Sequence, residues 1–152
     1  MGITLREINK DNWKECIALQ VGDEQKTFVV ANVYSLAEAG FYPAYQPLAV
    51  YHGNMMVGFI MYGKDPDDGC YRILRLMIDR KYQRMGYGKA AMHEVIRLLK
   101  EKPDCDSISI SHVPENVIAD KLYSSLGFCE TGEVIGGETV ERLVVRHNDE
   151  KG

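Results

Sequence analysis

The sequence lacks the closely spaced cysteines that would indicate a zinc site or a redox pair. Its four cysteines, Cys16, Cys70, Cys105 and Cys129, are far apart, and neither a C-x-x-C pair nor a cluster of histidines accompanies them. We therefore expect no metal site in this protein. In a chain of this size the four cysteines are expected to be buried, reduced thiols.

A long apolar run and an excess of basic charge are also missing. No stretch approaches the length of a membrane span, and the segment MGITLREINK at the N-terminus has no apolar core of the signal-peptide type. The formal net charge is −4, and arginines do not alternate with aromatic residues as they do in many nucleic-acid-binding segments. We expect a cytoplasmic protein that binds neither membranes nor nucleic acids.

The composition is typical of one globular domain. Of the 152 residues, 45% are apolar and 26% are charged, and the chain is long enough to bury a substantial core. No repeat, linker or low-complexity segment interrupts it. We predict a single domain over residues 1–148, followed by a polar tail over residues 149–152.

Apolar periodicity predicts the element order β-α-α-β-β-β-α-β-α-β-β, which requires a mixed sheet with helices on both faces. Seven strands are predicted: Ile3 to Ile8, Leu48 to Tyr51, Met56 to Tyr62, Ile73 to Ile78, Ser107 to Ser111, Phe128 to Ile135 and Thr139 to Arg146. Two capping-box pairs, Asn12 with Glu15 and Ser35 with Glu38, predict the starts of two short helices. An acidic turn over residues 64–69 is expected to face water.

The segment from Ile73 to Lys100 organises the chain. It begins as an apolar β-type run, turns at Gly86 and Gly88, and continues with a helical apolar period. At such a turn the first N–H groups of the helix lack partners within the helix, and the helix dipole adds positive charge near them. Glycine lets the backbone adopt positive φ and approach a ligand closely. The turn therefore suits a phosphate group.

One interpretation of this turn is the dinucleotide fingerprint G-x-G-x-x-A, which Gly86-Tyr87-Gly88-Lys89-Ala90-Ala91 matches. In that fingerprint the first glycine follows the strand directly, whereas residues 79–85 intervene here. Only residues 89–152 follow the second glycine, which are too few for a full doubly wound nucleotide domain. The sequence therefore does not favour a dinucleotide-binding fold.

Two motifs point to a different interpretation. The first, Gln83-Arg84-Met85-Gly86-Tyr87-Gly88, has the form Gln/Arg-x-x-Gly-x-Gly/Ala. The second runs from Asn116 to Phe128 with the pattern Asn-x-x-Ala-x-x-Leu-Tyr-x-x-Leu-Gly-Phe. They resemble, in the same order, the pyrophosphate loop and the helix after the fifth strand in the GNAT superfamily of acyl-CoA-dependent N-acyltransferases.

The resemblance implies a single-domain fold of the α/β (α+β) class, with a mixed, mostly antiparallel sheet of six to seven strands, a splayed parallel pair and about four helices. The superfamily binds acetyl-CoA where the two parallel strands splay apart, here the strands that end at Ile78 and near Ser111. An extended arm of the cofactor pairs with the first of these strands as an added strand would. The implied cofactor-binding residues are Leu76, Met77, Ile78, Gln83, Arg84, Met85, Gly86, Tyr87, Gly88, Lys89, Asn116 and Tyr123.

Acetyl transfer from a thioester to an amine needs a proton acceptor and a proton donor. An amine with a pKa of about 10.4 costs roughly 4 kcal/mol to deprotonate near neutral pH, and a phenol with a pKa of about 10 can protonate a leaving thiolate with a pKa of ~8.5. The resemblance places Tyr123 close to the sulfur, so we predict that Tyr123 is the acid. A backbone N–H of Met77 or Ile78 is the candidate for polarising the carbonyl. His112, at the end of the fifth strand, could relay a proton through water.

The acceptor is implied by a second resemblance. The chain is similar nearly end to end to bacterial spermine/spermidine N-acetyltransferases, most clearly in residues 19–25, 32–39, 61–63 and 78–83. A polyamine needs carboxylates around its ammonium groups, and we predict Asp23, Glu24 and Glu38 for this role. The chain departs from the pattern at Leu74, where polyamine acetyltransferases of the superfamily often carry a carboxylate, and Arg75 follows it.

Two alternatives stay open at this point. One is a GNAT enzyme for another primary amine, such as a protein N-terminus or an aminoglycoside. The other is a non-catalytic module that binds acetyl-CoA, which the missing strand carboxylate favours and the presence of Tyr123 disfavours. We also expect that the chain can form a homodimer.

Overall fold

The computed structural model describes residues 2–64 and 70–146. Within these residues the chain forms seven strands and four α-helices in the predicted order. The strands are β1 (Ile3–Glu7), β2 (Tyr45–His52), β3 (Met55–Lys64), β4 (Cys70–Ile78), β5 (Ser107–His112), β6 (Cys129–Ile135) and β7 (Glu138–Val144). The helices are α1 (Trp13–Ala18), α2 (Asn32–Ala39), α3 (Tyr87–Lys100) and α4 (Val117–Ser125), and short 3-10 turns lie at Asp23–Gln25 and Arg80–Tyr82. None of the described helices is both long and apolar enough to cross a membrane.

The strands form one mixed sheet in the order β1-β2-β3-β4-β5-β7-β6. Neighbouring strands within the described residues are antiparallel, except for β4 and β5, which are parallel because the chain crosses over through α3 between them. The predicted fold class and sheet are therefore confirmed. Most of the predicted acidic turn, residues 65–69, and the predicted tail, residues 149–152, lie outside the described residues.

The parallel strands β4 and β5 pair along only part of their length. Register pairs run from Cys70 opposite Ser107 to Ile73 opposite Ile110. Beyond these pairs, β4 continues to its end at residue 78 and β5 to its end at residue 112 without further pairing between them. The two strands therefore diverge and leave a gap in the sheet, where backbone groups on the facing edges have no strand partner.

An apolar cluster is buried on each face of the sheet. One face is covered by α3, whose buried stripe consists of Ala91, Met92, Val95, Ile96 and Leu99. The other face is covered by the segment that contains α1 and α2, and it buries Phe59, Met61 and Met77. Because β4 lies between the two clusters, it gives rigid support to whatever is bound at its end.

Neither predicted capping box forms, although α1 does begin directly after Asn12 as predicted. The side chain of Asn12 accepts a hydrogen bond from the N–H of Asn9 at 2.8 Å and makes no capping bond to α1. Helix α2 begins at Asn32, so Ser35 lies inside the helix as a buried residue. The first residue of α2 makes a tertiary contact with α1. The buried side-chain amide of Asn32 donates to the carbonyl of Cys16 at 2.9 Å.

The expectation of four buried thiols is wrong for Cys129. Cys16, Cys70 and Cys105 are buried, but Cys129 is exposed. The reason is its position on β6, an edge strand that pairs with β7 alone and has every residue exposed. The edge of a sheet offers no second strand to cover such a side chain.

Candidate active site

The glycine turn between β4 and α3 presents a row of free backbone N–H groups. Gly86 precedes α3 with a left-handed backbone, φ 82°, and Arg84 has a φ of 66°, which is uncommon for a residue with a side chain. In the described part of the chain, no N–H group from Arg84 to Lys89 donates to another backbone group. A Cβ added at Gly86 would meet no heavy atom within 4 Å, so the turn is open on that side. Strained backbone and free donors together match a phosphate site.

Two side chains hold this turn in place. Asp79 is buried, and one of its carboxylate oxygens caps the 3-10 turn that follows β4 while the other accepts the N–H of Gln20 at 3.0 Å. The amide of Gln83 donates to the carbonyl of Ile78 at 2.9 Å and to the side-chain oxygen of Gln25 at 2.8 Å. The turn is thereby tied to the end of β4 and to the segment between α1 and α2. Sequence reasoning missed Asp79 and Gln25, because no local pattern marks these distant contacts.

The last residues of β4 direct their backbone groups alternately to the two sides of the strand. The N–H of Asp79 donates to the carbonyl of Val57 on β3 at 2.8 Å. Because consecutive residues of a strand face opposite edges, Leu76 and Ile78 face the gap, whereas Met77 faces β3. Of the two candidates for polarising a carbonyl in the gap, the N–H of Ile78 is therefore the one that points into it.

Two cavities meet where β4 and β5 diverge. The first, which we call the loop cavity, has a volume of about 630 Å³ and is lined by the glycine turn, the end of β4 and the start of α4. The second, which we call the sheet cavity, has a volume of about 350 Å³ and is lined by β4, the end of β5 and the start of β7. Five residues line both cavities: Phe28, Val29, Leu76, Asn116 and Tyr123. Tyr123 therefore stands at their junction.

Tyr123 combines burial with a hydroxyl group at this junction. The residue is 8% exposed, and its ring packs against those of His112 and Phe128, with centroid distances of 5.9 and 6.2 Å. Burial raises the pKa of Tyr123 well above the usual value of a phenol, and the negative charges of Glu141 and Glu138 raise this pKa further. The hydroxyl therefore keeps its proton at neutral pH and can donate it to a base that forms beside it.

His112, the last residue of β5, is buried next to Tyr123 with both ring nitrogens engaged. Its Nδ1 lies 2.9 Å from the carbonyl oxygen of Val113, and because a carbonyl oxygen only accepts, this nitrogen carries a hydrogen. Its Nε2 lies 2.8 Å from Oε2 of Glu141, a hydrogen bond that needs one proton between the two atoms. Neither nitrogen is free to accept a further proton in this arrangement. The proposed relay through His112 stays a prediction.

Sequence reasoning missed Glu141, which lies on β7 beneath this histidine. Glu141 is 1% exposed, and its Oε1 has no hydrogen-bond partner within the described residues. Burial raises the pKa of the Glu141 carboxyl, and the hydrogen bond with His112 opposes that rise. Donor atoms of Glu141, His112 and Asp120 lie within 4.8 Å of one another, so the expected absence of a metal site stays a prediction.

The three predicted substrate carboxylates are not brought together. Asp23 is exposed and pairs with Lys26 at 3.0 Å. Glu38 forms an ion pair with Arg75 at 3.1 Å, and each side chain is 23% exposed. Glu24 lines the loop cavity together with the glycine turn and does not line the sheet cavity. Their role in binding an acceptor stays a prediction.

The sheet cavity has its own set of charged residues. Besides Tyr123, those with ionisable side chains are Arg72, Arg75, His112 and Glu138. Leu74, which stands where the resemblance expects a carboxylate, lies at an irregularity of the β3–β4 register and packs into the cluster beneath α1 and α2. Sequence reasoning missed Arg72 and Glu138, because each occupies an ordinary polar position in an alternating strand.

The site fits an acyl-coenzyme A. A ligand with a diphosphate and an extended arm needs a group of anion donors and an unpaired strand edge, and the glycine turn and the gap supply them. Asn116 accepts the N–H of Ala119 through its Oδ1 at 3.2 Å, which caps α4, and the residue lines both cavities. The loop cavity of about 630 Å³ is open enough to admit such an arm.

Comparison with known proteins agrees with this site. The model of the Acetyltransferase (GNAT) family matches residues 6–128. The chain is 31% identical over 147 residues to the spermine/spermidine N(1)-acetyltransferase of Bacillus subtilis (strain 168), an alignment that covers 92% of this chain and 97% of the relative. Spermidine N-acetyltransferase from Vibrio cholerae, solved with CoA and spermine, has a TM-score of 0.73 at 15% identity over 92% of each chain. RimL, a ribosomal L7/L12 alpha-N-protein acetyltransferase solved with coenzyme A, has a TM-score of 0.73 at 11% identity over 95% of this chain and 94% of its own.

The two solved structures share the fold with this chain. The family match covers the glycine turn and reaches the end of the tyrosine-bearing helix α4, so it includes the whole junction between the two cavities. The curated relative matches along almost the full length of both chains. The chain therefore belongs to the GNAT family of acetyltransferases.

Proposed function

We propose that this chain transfers the acetyl group of acetyl-CoA to a primary amine of a polyamine such as spermidine or spermine. The observation that carries the proposal is the 31% identity to the Bacillus subtilis spermine/spermidine N(1)-acetyltransferase along 92% of the chain. The geometry supports the reaction type, because a donor in the loop cavity and an acceptor in the sheet cavity would meet at Tyr123.

The glycine turn and the end of β4 hold the donor in this proposal. The backbone N–H groups from Arg84 to Lys89 bind the diphosphate, and the side chains of Arg84 and Lys89 add positive charge. Backbone groups of Leu76 bind the extended arm, whereas the carbonyl of Ile78 already accepts the amide of Gln83. The bound cofactor supplies an activated acetyl thioester, and the N–H of Ile78 polarises the carbonyl by donating to its oxygen.

The reaction requires that one proton is given to the leaving thiolate and that another is removed from the acceptor amine. Tyr123 donates its hydroxyl proton to the leaving thiolate, and its raised pKa ensures that this proton is present at neutral pH. The amine arrives as an ammonium group and must lose a proton at a cost of roughly 4 kcal/mol near neutral pH, given a pKa of about 10.4. In the proposal His112 passes this proton on through water, which requires that its hydrogen bond with Glu141 opens.

Gly86→Ala is expected to weaken coenzyme A binding about tenfold, because a left-handed backbone costs a residue with a Cβ roughly 1–2 kcal/mol and the turn would relax away from the ligand. Gly132→Ala is the matched control, since Gly132 has a φ of 84°, also has open space around an added Cβ, and lies on the edge strand β6, where it lines neither cavity. Isothermal titration calorimetry with coenzyme A compares the two variants. Equal affinities would remove the turn from the binding site.

A second candidate acceptor is favoured by the arginines in the sheet cavity. Arg72 and Arg75 line this cavity, whereas the carboxylate of Glu38 is already paired with Arg75. An acceptor that carries a carboxylate near its amine, such as the N-terminus of an acidic peptide, would suit this lining. This candidate corresponds to the protein N-terminus named among the alternatives. An aminoglycoside carries no carboxylate, so these two arginines do not favour it.

Thiol release from acetyl-CoA distinguishes these candidates. We expect turnover with spermidine or spermine that exceeds turnover with a peptide beginning in acidic residues, measured at equal acceptor concentrations and corrected for hydrolysis without acceptor. Preference for the peptide would replace the polyamine assignment with the second candidate. Calorimetric binding of acetyl-CoA without turnover on any amine would identify a non-catalytic module.

Two further expectations remain proposals. We propose a homodimer, because the edge strand β6 exposes all its residues, including Val134 at 65% and Ile135 at 52%. A cytoplasmic location is proposed from the sequence alone.

A further inference from the structure

The sheet cavity contains one carboxylate among its described lining residues. That carboxylate belongs to Glu138, the first residue of β7. The other ionisable lining residues among those described are Arg72, Arg75, His112 and Tyr123. Among the described lining residues, Glu138 is therefore the one anionic contact for a cationic acceptor that enters this cavity.

The carboxylate of Glu138 is held at the mouth of the gap. The hydroxyl of Ser111, the residue before the end of β5, donates to Oε1 of Glu138 at 2.9 Å. Strand register supports this position, because Ser111 lies opposite Val140 and the last residue of β5 lies opposite Thr139. Within the described residues the second oxygen, Oε2, makes no hydrogen bond or ion pair, so it is available to a ligand.

Glu138 is also close enough to Tyr123 to act on it electrostatically. The negative charge of Glu138 contributes to the raised pKa of the Tyr123 hydroxyl, after burial and the charge of Glu141. A cation bound to Glu138 would offset that contribution. Occupation of the cavity by a cationic acceptor would therefore make Tyr123 a stronger acid at the moment when a proton donor is needed.

We propose that Glu138 is the specificity-determining residue of the acceptor site and binds the charged nitrogen of a polyamine that neighbours the reacting amine. This inference rests on the proposed function and deepens it. A carboxylate on the reacting nitrogen itself would hold its proton in place and slow the attack, so the binding partner is the adjacent ammonium group. Asp23 and Glu38, the carboxylates named from the sequence, are paired with Lys26 and Arg75 instead.

The test compares Glu138→Gln with Glu133→Gln. Both changes remove one carboxylate and keep the shape of the side chain, but Glu133 lies on the exposed edge strand β6 and does not line the cavity. We expect Glu138→Gln to raise the KM for spermidine about ten- to a hundredfold, the loss of one hydrogen bond to a charged group, and to leave the KM for the monoamine propylamine unchanged. Glu133→Gln should change neither value, and Glu138→Asp should restore part of the loss for spermidine.

An unchanged KM for spermidine, or equal rises for spermidine and propylamine, would overturn the role of Glu138. Failure of the proposed function gives a different result, because calorimetry with spermidine in the presence of coenzyme A measures binding without turnover. Spermidine binding that Glu138→Gln weakens, in a protein that does not acetylate spermidine, would overturn the function and support the site. Absence of spermidine binding to the unaltered protein would overturn both.

Discussion

Tyr123→Phe is expected to lower kcat by roughly ten- to a thousandfold, the range for loss of a general acid, and to leave the Kd for coenzyme A nearly unchanged. Phenylalanine keeps the ring that packs against His112 and Phe128, so the change removes the hydroxyl and little else. The raised pKa of Tyr123 means that this hydroxyl holds its proton throughout the neutral and mildly alkaline range. The activity lost in the variant is therefore expected to be missing at every pH in that range.

Tyr62→Phe is the matched control for this prediction. Tyr62 is also a buried tyrosine at 8% exposure, but it belongs to the core cluster under α3 and lines neither cavity. Steady-state kinetics of both variants with acetyl-CoA and spermidine, and calorimetry with coenzyme A, give the comparison. An unaltered kcat in Tyr123→Phe would show that another group or water protonates the thiolate.

His112→Ala is expected to destabilise the fold by about 3–5 kcal/mol at pH 8, because it leaves the charge of Glu141 buried without its partner. The loss should be smaller at pH 5. Burial raises the pKa of Glu141 in the folded state, so its protonated form favours folding at low pH and that contribution is lost as pH rises through the raised pKa. The hydrogen bond with His112 lowers the pKa of Glu141, so this pKa rises further when His112 is removed. The stability is then lost over a wider pH range.

Urea unfolding at pH 5 and pH 8 measures the effect, and a double variant separates charge from packing. His112→Ala combined with Glu141→Gln still lacks the imidazole ring but buries no charge. We expect the double variant to recover much of the stability lost at pH 8 and to show little difference between the two pH values. A single variant that loses the same stability at both pH values would show that packing, rather than the buried charge of Glu141, dominates.

The parts of the fold that could be predicted from the sequence are those with a local signature. Apolar patterns and turn residues identified all seven strands, and Gly86 was recognisable because a helix start with a left-handed residue needs glycine. The start of α1 was found directly after Asn12, but the start of α2 was not predictable in the same way. Contacts between distant segments, such as the Asn32 amide with the carbonyl of Cys16, compete there with local capping.

The polar contacts of the site had no such signature. Glu141 meets His112 across 29 positions of the chain, and Arg75 meets Glu38 across 37. Each residue taken alone resembles a solvated charge on an alternating strand or a helix. Only the fold brings the members of each pair together, so the buried carboxylate and the loss of Glu38 to an ion pair could not be read from local pattern.

Because β4 and β5 pair over a short length, the two halves of the sheet are joined less firmly to each other than the strands within each half. Four strands on one side and three on the other form two leaves, joined directly by only four residue pairs at one end of a wedge. A cofactor arm seated in the wedge would bridge the leaves along the part where they are not joined. Binding of the cofactor would then make the sheet stiffer, and the two halves of the sheet would hold the reacting thioester most firmly when the cofactor is bound.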